Sequence, residues 1–197
     1  MSLLDVGERN LVLSGEVNRE LEIGDQPLYK VKYPATDAYP NTLVSLWWII
    51  PIVVIVVILD YLLSGATFSQ PWYRSLDTAP WQPPAKVFSI VWGILYILIA
   101  IAWYLLYSRA DENVRSKINA VFVINAVLLV AWSAFFSQRN LVGALIVLFL
   151  TLITSIYLWE SALTINRWGA TLLALYVGWL AVATSLNIWL VGNNDIC

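Results

Sequence analysis

The sequence predicts an all-α membrane protein, a bundle of five transmembrane helices with a soluble N-terminal extension. Three observations predict it. Hydrophobic residues make up 60% of the 197-residue chain and charged residues only 12%, about half the charged share of an average soluble domain. Five apolar runs each approach or exceed the roughly 20 residues that cross a bilayer core of about 30 Å. The chain also holds 11 Trp and 10 Tyr, rings that gather at membrane–water interfaces with their faces in lipid and their polar atoms in water.

The elements follow in chain order. Residues 1–43 carry seven acidic and four basic residues, with no basic start leading into an apolar run of the secretory kind. This extension is expected to be a flexible, solvated tail. The alternative is a docking segment built on Leu11, Val12, Leu13, Val17, Leu21 and Ile23. A membrane domain is expected over residues 44–191, with a short tail at 192–197. Its first span runs about Val44–Leu63, with Pro51 inside it. The second runs about Ala85–Tyr107, the third Ile118–Ser137, the fourth Leu141–Ala162 and the fifth Trp168–Val191. An unpaired amide in lipid costs several kcal/mol, so these runs should be helical, and they lack the alternation of barrel strands. Short links at 109–117, 138–140 and 164–167 force antiparallel neighbours. The first link, residues 64–84, is about 20 residues long, a length usually kept for function.

Lys30, Lys32, Arg109, Arg115, Lys117 and Arg167 fall on the N-terminal side of the spans. Arg74, Lys86 and Arg139 fall on the other. The excess places the N-terminus in the cytoplasm.

Composition also excludes functions. A net charge of −2 offers no basic surface for nucleic acid. The chain has no His, one Cys (Cys197) and one Met (Met1). That rules out His-based acid–base pairs and triads, Cys/His zinc sites, haem held by His or an internal Met, and an intrachain disulfide. No metal site and no required cofactor are expected.

The most informative stretch is Pro71–Tyr96, PWYRSLDTAPWQPPAKVFSIVWGILY. Pro80, Pro83 and Pro84 stiffen the loop, and Pro84 sits where a helix start tolerates the missing N–H. Trp72, Tyr73 and Trp81 are placed to cover the helix ends. Trp92 and Tyr96 are four apart and share a helix face, to which Trp103 returns three turns later.

The spacing WY-x-x-L-x-x-x-P-W-x-P-P-x-x-V-F-x-x-V-W-x-x-L-Y resembles the TspO/MBR family, the tryptophan-rich sensory and translocator proteins. Trp132-Ser133-Ala134-Phe135-Phe136 is similar to the family's third-helix motif, with the Phe pair one step early. Tyr176, Trp179, Ala183, Thr184, Leu186 and Asn187 extend the likeness in the fifth span. The resemblance covers about residues 44–191. Leu129 stands where the family usually has Asn, and Leu175 where it often has Pro. Ile188-Trp189-Leu190-Val191-Gly192 replaces the Tyr-then-Arg ending of members proposed to bind cholesterol.

The resemblance implies binding of protoporphyrin-like tetrapyrroles, with sterols and synthetic aromatic compounds as further ligands, in a bundle pocket capped by the first loop. It implies a sensor or scavenger, with transport of porphyrin, sterol or lipid-like compounds as one alternative. Light-dependent porphyrin degradation using Trp92 and Trp179 is another. It also implies Tyr73 at the pocket mouth, Ala183 as a small pocket residue, and a possible homodimer. The chemistry of the residues agrees in kind. A porphyrin needs aromatic faces and donors for its carboxylates. Trp92, Trp132 and Trp179 could supply faces, and Arg74 and Lys86 could meet the propionates. Trp81, Tyr96, Asn125 and Tyr176 complete the candidate ligand-binding set.

Structural readings stand beside these. Trp47, Trp48 and Trp168 read as interfacial anchors, and Trp103 and Trp159 as lipid- or interface-facing. Asn125 reads equally as helix packing or pocket lining. Asp60 and Glu160 read as functional intramembrane carboxylates or as interfacial groups, with Arg167 a candidate partner of Glu160. Gly143, Ala144, Gly169, Ala170, Ala174 and Gly178 could permit close helix approach.

Overall fold

The computed structural model describes residues 12–13, 16–23, 26–33, 42–65 and 67–194. Leu11, Cys197 and the end of the expected C-terminal tail lie outside them. The chain divides into two units, Met1–Asn41 and Thr42–Cys197.

In the first unit, β1 (Val12–Leu13), β2 (Glu16–Ile23) and β3 (Gln26–Tyr33) form an antiparallel sheet in that order. The register pairs Val17 with Tyr33, Arg19 with Val31 and Leu21 with Tyr29. The sequence reading expected a flexible tail here. Residues 17–23 and 29–33 instead alternate apolar and polar at several steps, the period-2 pattern of a strand. Pro27 lies on the outer strand β3, where a missing N–H is tolerated, and the register is irregular where it faces Glu22.

The second unit is helical. Its long helices are α1 (Thr42–Ser64), α3 (Ala85–Arg109), α4 (Glu112–Ser137), α5 (Leu141–Ile165) and α6 (Arg167–Asn193). All five are long and apolar enough to cross a membrane. Between α1 and α3 the chain forms a 3₁₀ turn, Thr67–Ser69, and the single-turn α2 (Pro71–Arg74). Pro51 lies inside α1, which continues through it.

The helices close into a ring in the order α1, α4, α5, α6, α3. Very short links set this arrangement. Asn166 alone joins α5 to α6, and its Oδ1 accepts from the N–H groups of Trp168 and Gly169, both at 3.0 Å. Such a cap satisfies donors that a helix start leaves unpaired. Asn140 caps α5 through Gly143 N–H at 2.8 Å. Just before it, Arg139 takes the left-handed backbone conformation, φ 64°, that the tight reversal demands. Arg115 donates to the carbonyls of Tyr107 (2.9 Å) and Ala110 (2.8 Å), closing the end of α3.

The main core joins Leu95, Trp103, Phe122, Leu158, Tyr176 and Leu180. Trp103 differs from its expected lipid-facing position. It is 1% exposed, stacks on Phe122 with centroids 4.8 Å apart, and donates to Asn119 Oδ1 at 2.9 Å. That polar partner is what lets an indole N–H lie inside the bundle. Trp48 packs edge-on against Trp103, whereas Trp47 and Trp168 face outward. Arg167 lies over the Trp168 ring at 5.5 Å. A smaller cluster of Phe136, Leu141, Ala144 and Leu190 supports the loop aromatics Phe68, Trp72 and Tyr73.

Candidate functional site

A cavity of about 390 Å³ opens between α1, α3, α4 and α6, with the 65–84 loop as its roof. No residue of α5 lines it, because α5 packs behind α4 and α6. The size falls in the range of small-molecule sites, which are mostly apolar with a few convergent polar groups.

The wall is aromatic. Trp92 and Tyr96 come from α3, Trp132 and Phe136 from α4, and Phe68 and Tyr73 from the roof. Their order follows from helical spacing, since residues four apart share a face. Trp92 lies 5.7 Å from Tyr96, and Trp132 stacks on Phe136 at 5.1 Å with 22° between the planes. Phe68 meets Tyr73 edge-on at 5.0 Å and Phe136 at 5.8 Å, tying the roof to α4. Ala183 leaves room on the α6 side.

The polar groups of the wall are mostly bonded to one another. Trp132 Nε1 donates to Asn187 Oδ1 at 3.1 Å, and Asn187 Nδ2 donates to the Leu141 carbonyl at 3.2 Å. Ser133 Oγ donates to Asp60 Oδ1 at 2.8 Å, and the Tyr96 hydroxyl donates to Asp60 Oδ2. Gln82 Nε2 donates to the Tyr73 hydroxyl at 2.7 Å. Burial pushes the Tyr73 phenol above its ordinary value, and the Gln82 bond opposes that rise only in part. Tyr73 is therefore neutral in the cavity roof.

Two bonds hold the roof to the end of α6. Asp77 N–H donates to Asn194 Oδ1 at 2.8 Å, and Asn194 Nδ2 returns a bond to the Asp77 carbonyl at 3.1 Å. Trp81 Nε1 donates to Ser185 Oγ at 3.3 Å and packs edge-on against Trp189. Arg139 lies over the Trp72 ring at 5.7 Å.

Of the residues singled out from sequence, Tyr73, Trp92, Tyr96, Trp132 and Ala183 line this cavity. Trp179 stands one ring back. It packs on Phe88 at 5.5 Å, and Phe88 lines the cavity beside Trp92. The buried Trp179 N–H has no partner among the described residues. Trp81 lies over the helix ends as part of the latch. Asn125 and Tyr176 are buried in helix packing. The Tyr176 hydroxyl donates to Asn125 Oδ1 at 2.8 Å, and Asn125 Nδ2 reaches the Thr151 carbonyl and the Thr154 and Ser155 hydroxyls. Arg74 and Lys86 are exposed and do not line the cavity. Sequence reasoning missed Phe68, Phe88, Gln82 and Asn194. Phe88 was within reach, since it lies one helical turn before Trp92.

A second, almost wholly apolar groove of about 530 Å³ runs along the α1–α3 seam, bounded by Ile50, Val54, Ile58, Ile97, Ile101 and neighbours. Val57, Gly93 and Tyr96 border both this groove and the cavity.

Together these features define a class, a multi-pass membrane protein whose helix ring encloses an aromatic cavity beneath a loop roof. The family model for TspO/MBR matches residues 46–191. Among curated sequences, the chain is 33% identical to the uncharacterised membrane protein YtaB of Bacillus subtilis over 126 residues, 64% of this chain and 81% of that one. It is 31% identical to the tryptophan-rich protein TspO of Bacillus cereus over 119 residues, 60% and 77% of the two chains. It is 28% identical to the human translocator protein over 123 residues, 60% and 73%. The chain belongs to the TspO/MBR family.

Proposed function

We propose that this membrane protein binds a flat, hydrophobic aromatic ligand of the tetrapyrrole class in the cavity beneath the 65–84 loop, as a sensor or scavenger. The observation that carries this reading is the cavity wall, where the rings of Trp92, Tyr96, Trp132 and Phe136 line about 390 Å³ of space. Offset and edge-on aromatic contacts of this kind favour a flat partner beyond simple area burial. The chemistry calls for no protein-held metal, so metal-free porphyrin suits the chain. Ala183→Phe fills the cavity from α6. It should abolish saturable quenching by protoporphyrin IX while the helical circular dichroism is kept. Undiminished binding by that variant would refute this location.

One observation favours passage as a second reading. The cavity and the α1–α3 groove share Val57, Gly93 and Tyr96, so an apolar compound moving along the seam from the bilayer would meet the cavity wall. Movement of protoporphyrin across sealed vesicles separates passage from binding alone. Light-dependent degradation would draw first on Trp92, which lines the cavity, and reach Trp179 only past Phe88. The Lys and Arg distribution favours a cytoplasmic N-terminus, and the family suggests a homodimer. Protease protection and light scattering in detergent test these two points.

A further inference from the structure

Among the described residues that line the cavity, one carries a carboxyl group and none is basic. Asp60 lies in the α1 span and lines the wall, while no Lys or Arg does. Both of its carboxylate oxygens act as acceptors, Oδ1 from Ser133 and Oδ2 from Tyr96. A group accepting at both oxygens is matched to the ionised form, which offers about four acceptor positions. Two are filled by the protein. The rest are available to whatever occupies the cavity.

Most donors close to Asp60 are already turned to protein acceptors, whereas the Tyr73 hydroxyl in the roof accepts from Gln82. Ser64 Oγ donates to the Asp60 backbone carbonyl at 2.7 Å, and Ser89 Oγ to the Ala85 carbonyl at 3.1 Å. Ser133, Tyr96, Trp132 and Asn187 are likewise turned to protein acceptors. A carboxylate within a membrane span is costly unless it is paired or solvated. The cavity wall provides hydroxyl donors and no countercharge.

We propose that the cavity selects flat apolar ligands that carry a protonated or N–H-bearing nitrogen, and that Asp60, held in place by Ser133 and Tyr96, receives that nitrogen. The inference rests on the reading that the cavity is a ligand site, and it adds the ligand's polarity. A flat ligand with outward-facing N–H groups and peripheral carboxylates would place the N–H groups toward Asp60. Its carboxylates would lie toward the roof, where the exposed Arg74 and Lys86 adjoin the lining residues Tyr73 and Ala85.

The test uses the full chain in neutral detergent and two flat tricyclic probes, 9-aminoacridine, a cation at neutral pH, and acridine, which is neutral there. Empty micelles correct for partitioning, and protoporphyrin IX is titrated alongside. The charged probe should bind about tenfold or more tightly than acridine, because a charge-assisted bond forms in a water-poor site. Asp60→Asn should erase that preference. Equal affinity of the wild-type chain for the two probes overturns the proposal, as does a preference that survives Asp60→Asn. The wild-type comparison decides even if the variant does not fold. If protoporphyrin and acridine both fail to bind the wild-type chain, the ligand-site reading itself has failed. If protoporphyrin binds and the charge preference is missing, only the role of Asp60 is refuted.

Discussion

At the residue scale, polar side chains that look alike in sequence do different work once folded. Asn125 and Asn187 both lie in apolar spans. Asn187 holds Trp132 at the cavity wall, whereas Asn125 ties α4 to α5 and α6 through Thr151, Thr154, Ser155 and Tyr176. Asn125→Ala leaves the Tyr176 hydroxyl without its acceptor and should cost about 1–2 kcal/mol. Thermal unfolding in detergent should register the loss while protoporphyrin affinity stays unchanged; a large fall in affinity would contradict the placement of Asn125. Trp92 and Trp179 should also separate. Trp92→Phe removes part of the wall and should weaken protoporphyrin binding about tenfold. Trp179→Phe should have a smaller effect, because Phe88 stands between Trp179 and the cavity. Comparable losses in both variants would mean that the ligand displaces Phe88. Helical spacing could place Trp92 and Tyr96 on one face, but it could not say which neighbouring helix that face meets.

At the element scale, two devices set the site. The first is close helix approach. A Cβ added at Gly169 would lie 2.4 Å from Leu106 Cδ1, so α3 and α6 meet where the side chain is smallest. Gly169→Val should destabilise the bundle by about 1–3 kcal/mol through overpacking, read as a lower unfolding temperature. Gly178 has open space where its Cβ would be, and Gly178→Ala should be tolerated by the same measurement. The second device is the roof latch. Asn194→Ala removes both bonds to Asp77, and the roof should release ligand about tenfold faster given the usual strength of two such bonds. Stopped-flow displacement of protoporphyrin measures that rate, and an unchanged rate would mean that Trp81 and Tyr73 suffice to hold the roof. The loop's proline and tryptophan spacing announced a structured cap. Its anchor at Asn194 lies 117 residues from Asp77, a distance that no local pattern reveals.

At the scale of the whole molecule, the five spans were legible because a bilayer imposes both length and helicity on each apolar run. The structure extends their bounds by a few residues and adds the ring order. That order was not legible, since short links fix which helices are antiparallel but not which pairs enclose space. Trp103 illustrates the gap. Its type suggested lipid, and only the presence of Asn119 and Phe122 explains its burial. Asp60 illustrates it again, because its distance from a span end said nothing of Ser133 and Tyr96 closing around it. In the extension, the mixed apolar and polar pattern of β2 and β3 was readable but was outweighed by the segment's charge. The central claim is that the ring of helices exists around a ligand cavity. It is tested most directly by titrating protoporphyrin IX into the purified full chain in the dark and following tryptophan fluorescence. The account predicts saturable quenching at one ligand per chain that weakens in Trp92→Phe. Quenching that never saturates, or that is identical in wild type and Trp92→Phe, would contradict it.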